Sequence, residues 1–131
     1  CWGCSMGLVY AEIELTNPRY PELKSIAVKA LVDSGAVTMC VPEHIAIQLK
    51  LETSEMREVT VADGRKSSVP YVGPLFVAFE NRRSFCGAMV LGDEVLLGAI
   101  AMEDMDVLIH PRDQKLIVNP QSPNMPMMIV K

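Results

Sequence analysis

The chain has 131 residues, a formal net charge of −4 and a sequence pI near 5.1. That length suits one domain with its own core, and the acidic balance lacks the basic stripe that binding to nucleic acid needs. Half of the residues are hydrophobic and 21% are charged, which excludes a disordered chain, and no apolar run is long enough to span a bilayer. With no secretory signal visible, the chain reads as soluble and cytoplasmic, with no membrane partner. Aromatic residues make up only 5%, so the core is expected to be aliphatic, built from Val, Ile, Leu, Ala and Met.

In chain order, Cys1 and Cys4 form a C-x-x-C at the very start. A zinc site needs about four ligands, and the other candidates, His44 and His110, share no matching spacing. No metal or other cofactor is therefore expected. Residues 1–6 read as an N-terminal extension or a remnant ahead of the domain. Residues 7–15 alternate with period two: Val9, Ala11, Ile13 and Leu15 on one face, and Leu8, Tyr10, Glu12 and Glu14 on the other. Thr16-Asn17-Pro18 and Tyr20-Pro21 make a turn region. Residues 25–32 form the second strand, pairing with the first as a hairpin.

Residues 37–41 are β-like again, and Pro42 with Glu43 suits the first turn of a short helix ending near Leu49. His44 falls on that helix as an exposed residue. Residues 58–71 read as a polar hairpin turning at Ala62-Asp63-Gly64-Arg65. Gly73-Pro74 is expected to break the chain before a further hairpin, 75–79 and 84–91, turning about Asn81-Arg82. The basic pairs Arg65-Lys66 and Arg82-Arg83 read as solvated hairpin tips. An apolar run from 94 passes through Leu96-Leu97-Gly98 into a short helix, 99–105. Strands 107–109 and 115–118 follow, joined at Pro111-Arg112-Asp113-Gln114. Residues 120–131 would be an extended tail with an apolar end, suited to a dimer interface by strand addition. Cys40 and Cys86 lie in strand-like surroundings and read as small buried hydrophobes.

One stretch is poorly explained by folding alone. The apolar strand delivers Asp33 into Ser34-Gly35-Ala36. Asp is depleted in strand interiors, and Gly allows backbone conformations that other residues resist. Asp33 is either the end of a strand closed by an Asx-turn or a carboxylate placed for chemistry. A hydrolase using Ser34 or Cys40 as nucleophile is disfavoured, because no Gly-x-Ser-x-Gly elbow and no partner His are present.

Taken together, Asp33-Ser34-Gly35-Ala36, the hairpin about Asp63-Gly64, and Leu96-Leu97-Gly98 leading into a short helix resemble the retropepsin-like aspartic proteases. The chain is most similar to the small clan AA enzymes of prokaryotes. Ser34 stands where the commoner form of the triplet has Thr. The resemblance covers nearly the whole chain, from Met6 to about Pro120, places the domain at residues 7–119 and implies a mainly β fold. That fold would be a closed barrel with one or two short helices, acting as half of an acid protease in a two-fold homodimer. It implies that Asp33 from each subunit is catalytic, with Ser34, Gly35, Ala36, Leu96, Leu97 and Gly98 as motif support. Ala62, Asp63, Gly64 and Arg65 would cover an extended peptide or protein substrate. The alternative is a non-catalytic dimerisation or peptide-binding module with the same fold.

Overall fold

The structure, a computed structural model, describes residues 8–60 and 63–125. Strand β1 (Tyr10–Thr16) keeps its alternation, with Ala11, Ile13 and Leu15 buried and Tyr10, Glu12 and Glu14 exposed. It pairs antiparallel with β2 (Ile26–Val32), Tyr10 opposite Leu31 and Leu15 opposite Ile26. Short β3 (Met39–Val41) is wholly buried. Helix α1 (Glu43–Gln48) starts behind Pro42 and turns Ile45 and Ala46 inward. A long hairpin follows, β4 (Glu52–Thr60) and β5 (Lys66–Phe79), and then β6 (Arg82–Val90). Two-residue β7 (Leu96–Leu97) leads into α2 (Ala99–Met105). A separate two-stranded sheet, β8 (Val107–His110) with β9 (Lys115–Val118), closes the described chain.

The large sheet runs β1-β2-β7-β3-β6-β5-β4, and a further β1–β5 pairing closes six of its strands into a ring. In that pairing Glu14 lies opposite Ala78 and Thr16 opposite Phe76. Closure removes strand edges from the ring, and among the described residues β4 is paired with β5 alone. The fold is thus a mainly β closed barrel with two short helices. Ile13, Leu15, Val41, Leu75, Val77, Leu97 and Met105 fill its interior, essentially inaccessible to solvent. Phe79 is the one aromatic among the buried hydrophobic residues described, so the core is aliphatic, as the composition implies.

Four local readings are corrected or extended. First, Gly73-Pro74 does not end a strand: β5 runs through it, with a cis peptide, and its register with β6 slips there instead, between Val72 and Leu75, while Gly73 stays opposite Glu52 of β4. Pro lacks an N–H for the ladder, and an irregular register accommodates that loss without stopping the strand. Second, Arg82 is not a solvated tip residue. The turn lies at Glu80 and Asn81, with Glu80 at φ 52°, so Arg82 opens β6 pointing inward and is fully buried. Its Nη2 donates to the Ser122 carbonyl, while Nε and Nη1 have no hydrogen-bond partner among the described residues.

Third, the turn residue Asn17 is buried, at 1% exposure. Its amide donates to the carbonyls of Leu49 (2.8 Å) and Lys50 (3.3 Å), and its Oδ1 accepts the Arg19 N–H. It therefore satisfies the carbonyls left open where α1 ends. Fourth, the apolar runs 37–41 and 94–100 contribute only three and two ladder residues, and Val37 is left 63% exposed.

The segment after β9 is hydrogen-bonded back to the domain. Ser122 Oγ and Asn119 Nδ2 donate to the Asp106 carboxylate, and Asn81 Nδ2 donates to the Pro123 carbonyl. The apolar end of the expected tail, from residue 126, and the Cys1 and Cys4 pair lie outside the described residues.

Candidate active site

Asp33 sits one residue beyond β2, where two parallel neighbours, β2 and β7, end together. The backbone fixes it from several directions. Leu31 N–H donates to the Val95 carbonyl at 2.8 Å and Asp33 N–H to the Leu97 carbonyl at 3.0 Å. The Asp33 carbonyl accepts the Ala36 N–H at 3.1 Å, and its Oδ1 accepts the Gly35 N–H at 3.0 Å. The Asx-turn anticipated for this residue is therefore present. It also aims the carboxylate, so the two readings of Asp33 are compatible.

The predicted support residues converge on this turn. Ala99 N–H donates to the Ala36 carbonyl at 2.7 Å and Ile100 N–H to the Val37 carbonyl at 3.0 Å, so the start of α2 is bonded to the end of the turn. Gly98 makes that approach possible: a Cβ there would lie 2.5 Å from the Thr38 carbonyl oxygen and 2.9 Å from that of Val37. Leu97 is buried beneath, while Ser34 and Gly35 are exposed and Asp33 is half-buried.

Two shallow cavities flank the turn. One of about 390 Å³ is lined by Asp33 together with Leu8, Val9, Leu31, Val32, Ile109 and Gln114. The other, of about 370 Å³, is lined by Ser34 with Met102, Glu103, Val107 and Leu108 among others. A groove of similar size, about 400 Å³, lies over β4, β5 and β6. In its wall Arg19 and Glu52 are exposed and mutually paired at 2.7 Å, and Tyr71 and Cys86 line it beside them.

Of the predicted covering residues, three are described, and they lie on the β4–β5 hairpin. Asp63, Gly64 and Arg65 form the tip of the β4–β5 hairpin, all exposed, while Ala62 lies outside the described residues. Asp63 Oδ1 accepts the Arg65 N–H at 3.0 Å and Arg65 Nε meets Asp63 Oδ2 at 2.6 Å. Gly64 adopts φ +89°, a left-handed conformation that Gly tolerates best. His44 is exposed on α1, and His110 Nδ1 lies 3.6 Å from Asp113. Among the described residues no group of three His, Cys, Asp or Glu side chains converges as a metal site. No helix among them is long and apolar enough to cross a membrane.

Both thiols in the described chain are shielded. Burial raises the Cys40 pKa, and the nearby negative charge of Asp33 raises it further. Cys86 is pushed up to about 11, chiefly by burial, with a Ser84 hydrogen bond opposing and Asp104 adding to the rise. At pH 8 the thiolate fraction of Cys86 falls about a hundredfold below that of an ordinary cysteine. In a Cys1→Ser/Cys4→Ser chain, native protein should therefore react with a disulfide reagent at least about a hundredfold slower than unfolded protein. Labelling at the unfolded rate would contradict this placement of Cys40 and Cys86.

No family model matches the sequence, and no curated protein matches it. Solved structures do match. The retroviral protease-like domain of Ddi1 from Leishmania major superposes with a TM-score of 0.58 at 16% identity, covering 94% of this chain and 97% of that one. The protease of Simian Foamy Virus (mac) matches at 21% identity and TM-score 0.48, over 71% of this chain and 90% of that one. The chain therefore has the retropepsin-like aspartic protease fold.

Three residues near this frame carried no weight in the sequence: Arg57, Tyr71 and Gly87. The cross-strand register that joins them depends on the hairpin and its slip at Gly73-Pro74. A signal existed only for Gly87, because an isolated Gly inside a strand pattern marks a close approach.

Proposed function

We propose that the protein is an aspartic endopeptidase, active as a two-fold homodimer in which each subunit contributes one Asp33. The observation that carries this reading is the Asp33 turn itself. Half-buried Asp33 donates its backbone N–H to Leu97 and accepts the Ala36 N–H at its carbonyl, while the Gly35 N–H holds its carboxylate, with an open cavity beside it. The retropepsin-like fold supports it.

The chemistry follows from one carboxylate being insufficient. Hydrolysing a peptide bond by direct water attack requires a base for the water and an acid for the carbonyl oxygen. Two carboxylates facing each other across a two-fold axis share a proton, because both cannot ionise comfortably at short range. The ionised one takes a proton from water as the water oxygen bonds to the carbonyl carbon. The protonated one gives its proton to the carbonyl oxygen. Collapse of the resulting diol breaks the C–N bond, and the amine leaves with a proton returned by the dyad.

Each chain has one Asp-Ser-Gly triplet, and C2 is the simplest closed symmetry that supplies the second. Gly35 lets the two turns approach closely and Ala36 keeps the floor small. Ser34, exposed beside the carboxylate, braces the partner turn. Leu96, Leu97 and Gly98 hold the turn from behind, and the hairpin tip at Ala62, Asp63, Gly64 and Arg65 covers an extended peptide. No cofactor is needed for this chemistry.

The test is cleavage of casein between about pH 4 and 7, with and without a pepstatin-type inhibitor. Inhibitor-sensitive cleavage on the acid side of that range is expected. A pure dimer that leaves casein intact throughout would overturn the protease reading.

A further inference from the structure

We propose that Tyr71 is a positioning residue for this site, its ring tying the arms of the β4–β5 hairpin to the frame around Asp33. The effect on turnover rests on the protease reading; the anchoring itself rests on contacts within one subunit.

Tyr71 lies on β5, opposite Glu55 of β4 and Met89 of β6. The Arg57 guanidinium from β4 stands 4.0 Å from the centre of the Tyr71 ring, a cation–π stack. Glu55 holds that guanidinium in place at 2.5 Å. Towards β6 the ring rests on bare backbone. A Cβ at Gly87 would fall 2.5 Å from Tyr71 Cζ and 2.6 Å from its hydroxyl oxygen. Only Gly at position 87 leaves the ring where it is.

Past Gly87 the ring meets the elements that flank the Asp33 turn. Tyr71, Thr38, Met39 and Ile100 together line a gap of only about 30 Å³. That is room for one water at most, so the gap is a packing seam and not a ligand site. Ile100 donates its N–H to Val37, and Ala99 donates to Ala36, the last residue of the motif. One side chain thus touches β4 and β6 and reaches the start of α2.

A covering hairpin must open to admit peptide and close over it. Its resting position is set where its arms are fixed, and the Arg57–Tyr71–Gly87 stack fixes them between the tip and the barrel. Loosening the stack leaves Asp33 and its hydrogen bonds intact but lowers the population of the closed, substrate-ready hairpin. Apparent affinity falls by that fraction. The loss should therefore appear in KM more than in kcat.

The test compares the wild-type dimer with Tyr71→Ala, Tyr71→Phe and Gly87→Ala. Amide hydrogen exchange is followed in 52–60 and 66–72 and in β1–β2. KM and kcat are measured on a peptide taken from the main casein cleavage site. Tyr71→Ala and Gly87→Ala should speed exchange in the hairpin arms about tenfold, leave β1–β2 unchanged and raise KM about tenfold, with kcat within about threefold. Tyr71→Phe, which keeps the ring, should restore both. Wild-type exchange in the arms of Tyr71→Ala, equal acceleration in β1–β2, or a Phe variant as defective as Ala would overturn the proposal. If Tyr71→Ala does not fold, Arg57→Leu, a change on the exposed face, should accelerate the same arms a few-fold, and no acceleration would overturn it. If the wild-type chain cleaves nothing, the protease reading fails and the exchange measurements alone decide the anchoring.

Discussion

Asp33→Asn should lower the cleavage rate at least about a thousandfold while the protein remains folded and dimeric. Asn is nearly isosteric, and its side-chain oxygen can still accept the Gly35 N–H that Asp33 Oδ1 accepts now. The bonds from Asp33 N–H to Leu97 and from Ala36 N–H to the Asp33 carbonyl are backbone bonds and survive the change. What disappears is the ability to take a proton from water, and with two-fold symmetry it disappears from both halves at once. Removing two facing carboxylates also relieves repulsion, so the dimer should be at least as stable as wild type. Turnover on a casein-derived peptide, with light scattering and a melting curve on the same sample, checks this. Activity within tenfold of wild type would remove Asp33 from the mechanism.

The largest effect on stability is expected from Gly98→Ala, at about 3 kcal/mol or more. The new methyl would sit 2.5 Å from the Thr38 carbonyl oxygen, 2.7 Å from its carbon and 2.9 Å from the Val37 oxygen. All three are backbone atoms, so no side-chain swing can relieve the overlap. The chain must instead pull α2 away from the Asp33 turn, which strains the Ala99–Ala36 and Ile100–Val37 bonds. For a domain of this size the melting temperature should fall by about 10 °C. Gly92→Ala is the control: its φ of +80° carries a strain of about 1 kcal/mol, but nothing lies within 4 Å of the added methyl. Equal losses in the two variants would refute the close approach at Gly98.

Much of this was legible in the sequence because it depends on local pattern. The period-two face of β1, the α2 helix at 99–105 and the return strands 107–109 and 115–118 are set by alternation, Gly punctuation and apolar spacing, and the structure places them as read, with the first return strand one residue longer, to His110. The join between the Asp33 turn and Leu96-Leu97-Gly98 was legible only through resemblance, since residues 60 positions apart carry no local sign of meeting. What the sequence concealed was decided by tertiary context. Arg82 looked like a solvated charge until a Ser122 carbonyl 40 residues away met it inside. Asn17 looked like a turn residue, and its work is to close the end of α1. Gly73-Pro74 looked like a stop, but register slip let β5 continue. The Arg57–Tyr71–Gly87 stack needs three strands in register before it exists.

In the proposed enzyme one chain holds half a site, so specific activity should be measured against protein concentration, with light scattering on the same solutions and a parallel titration of wild type with Asp33→Asn chains. Activity per chain should rise in step with the dimer fraction, and excess Asp33→Asn should suppress wild-type activity by drawing its chains into mixed dimers with one carboxylate. Full activity in a monomer, or activity indifferent to excess Asp33→Asn after subunit exchange, would contradict a dyad shared between two copies of Asp33.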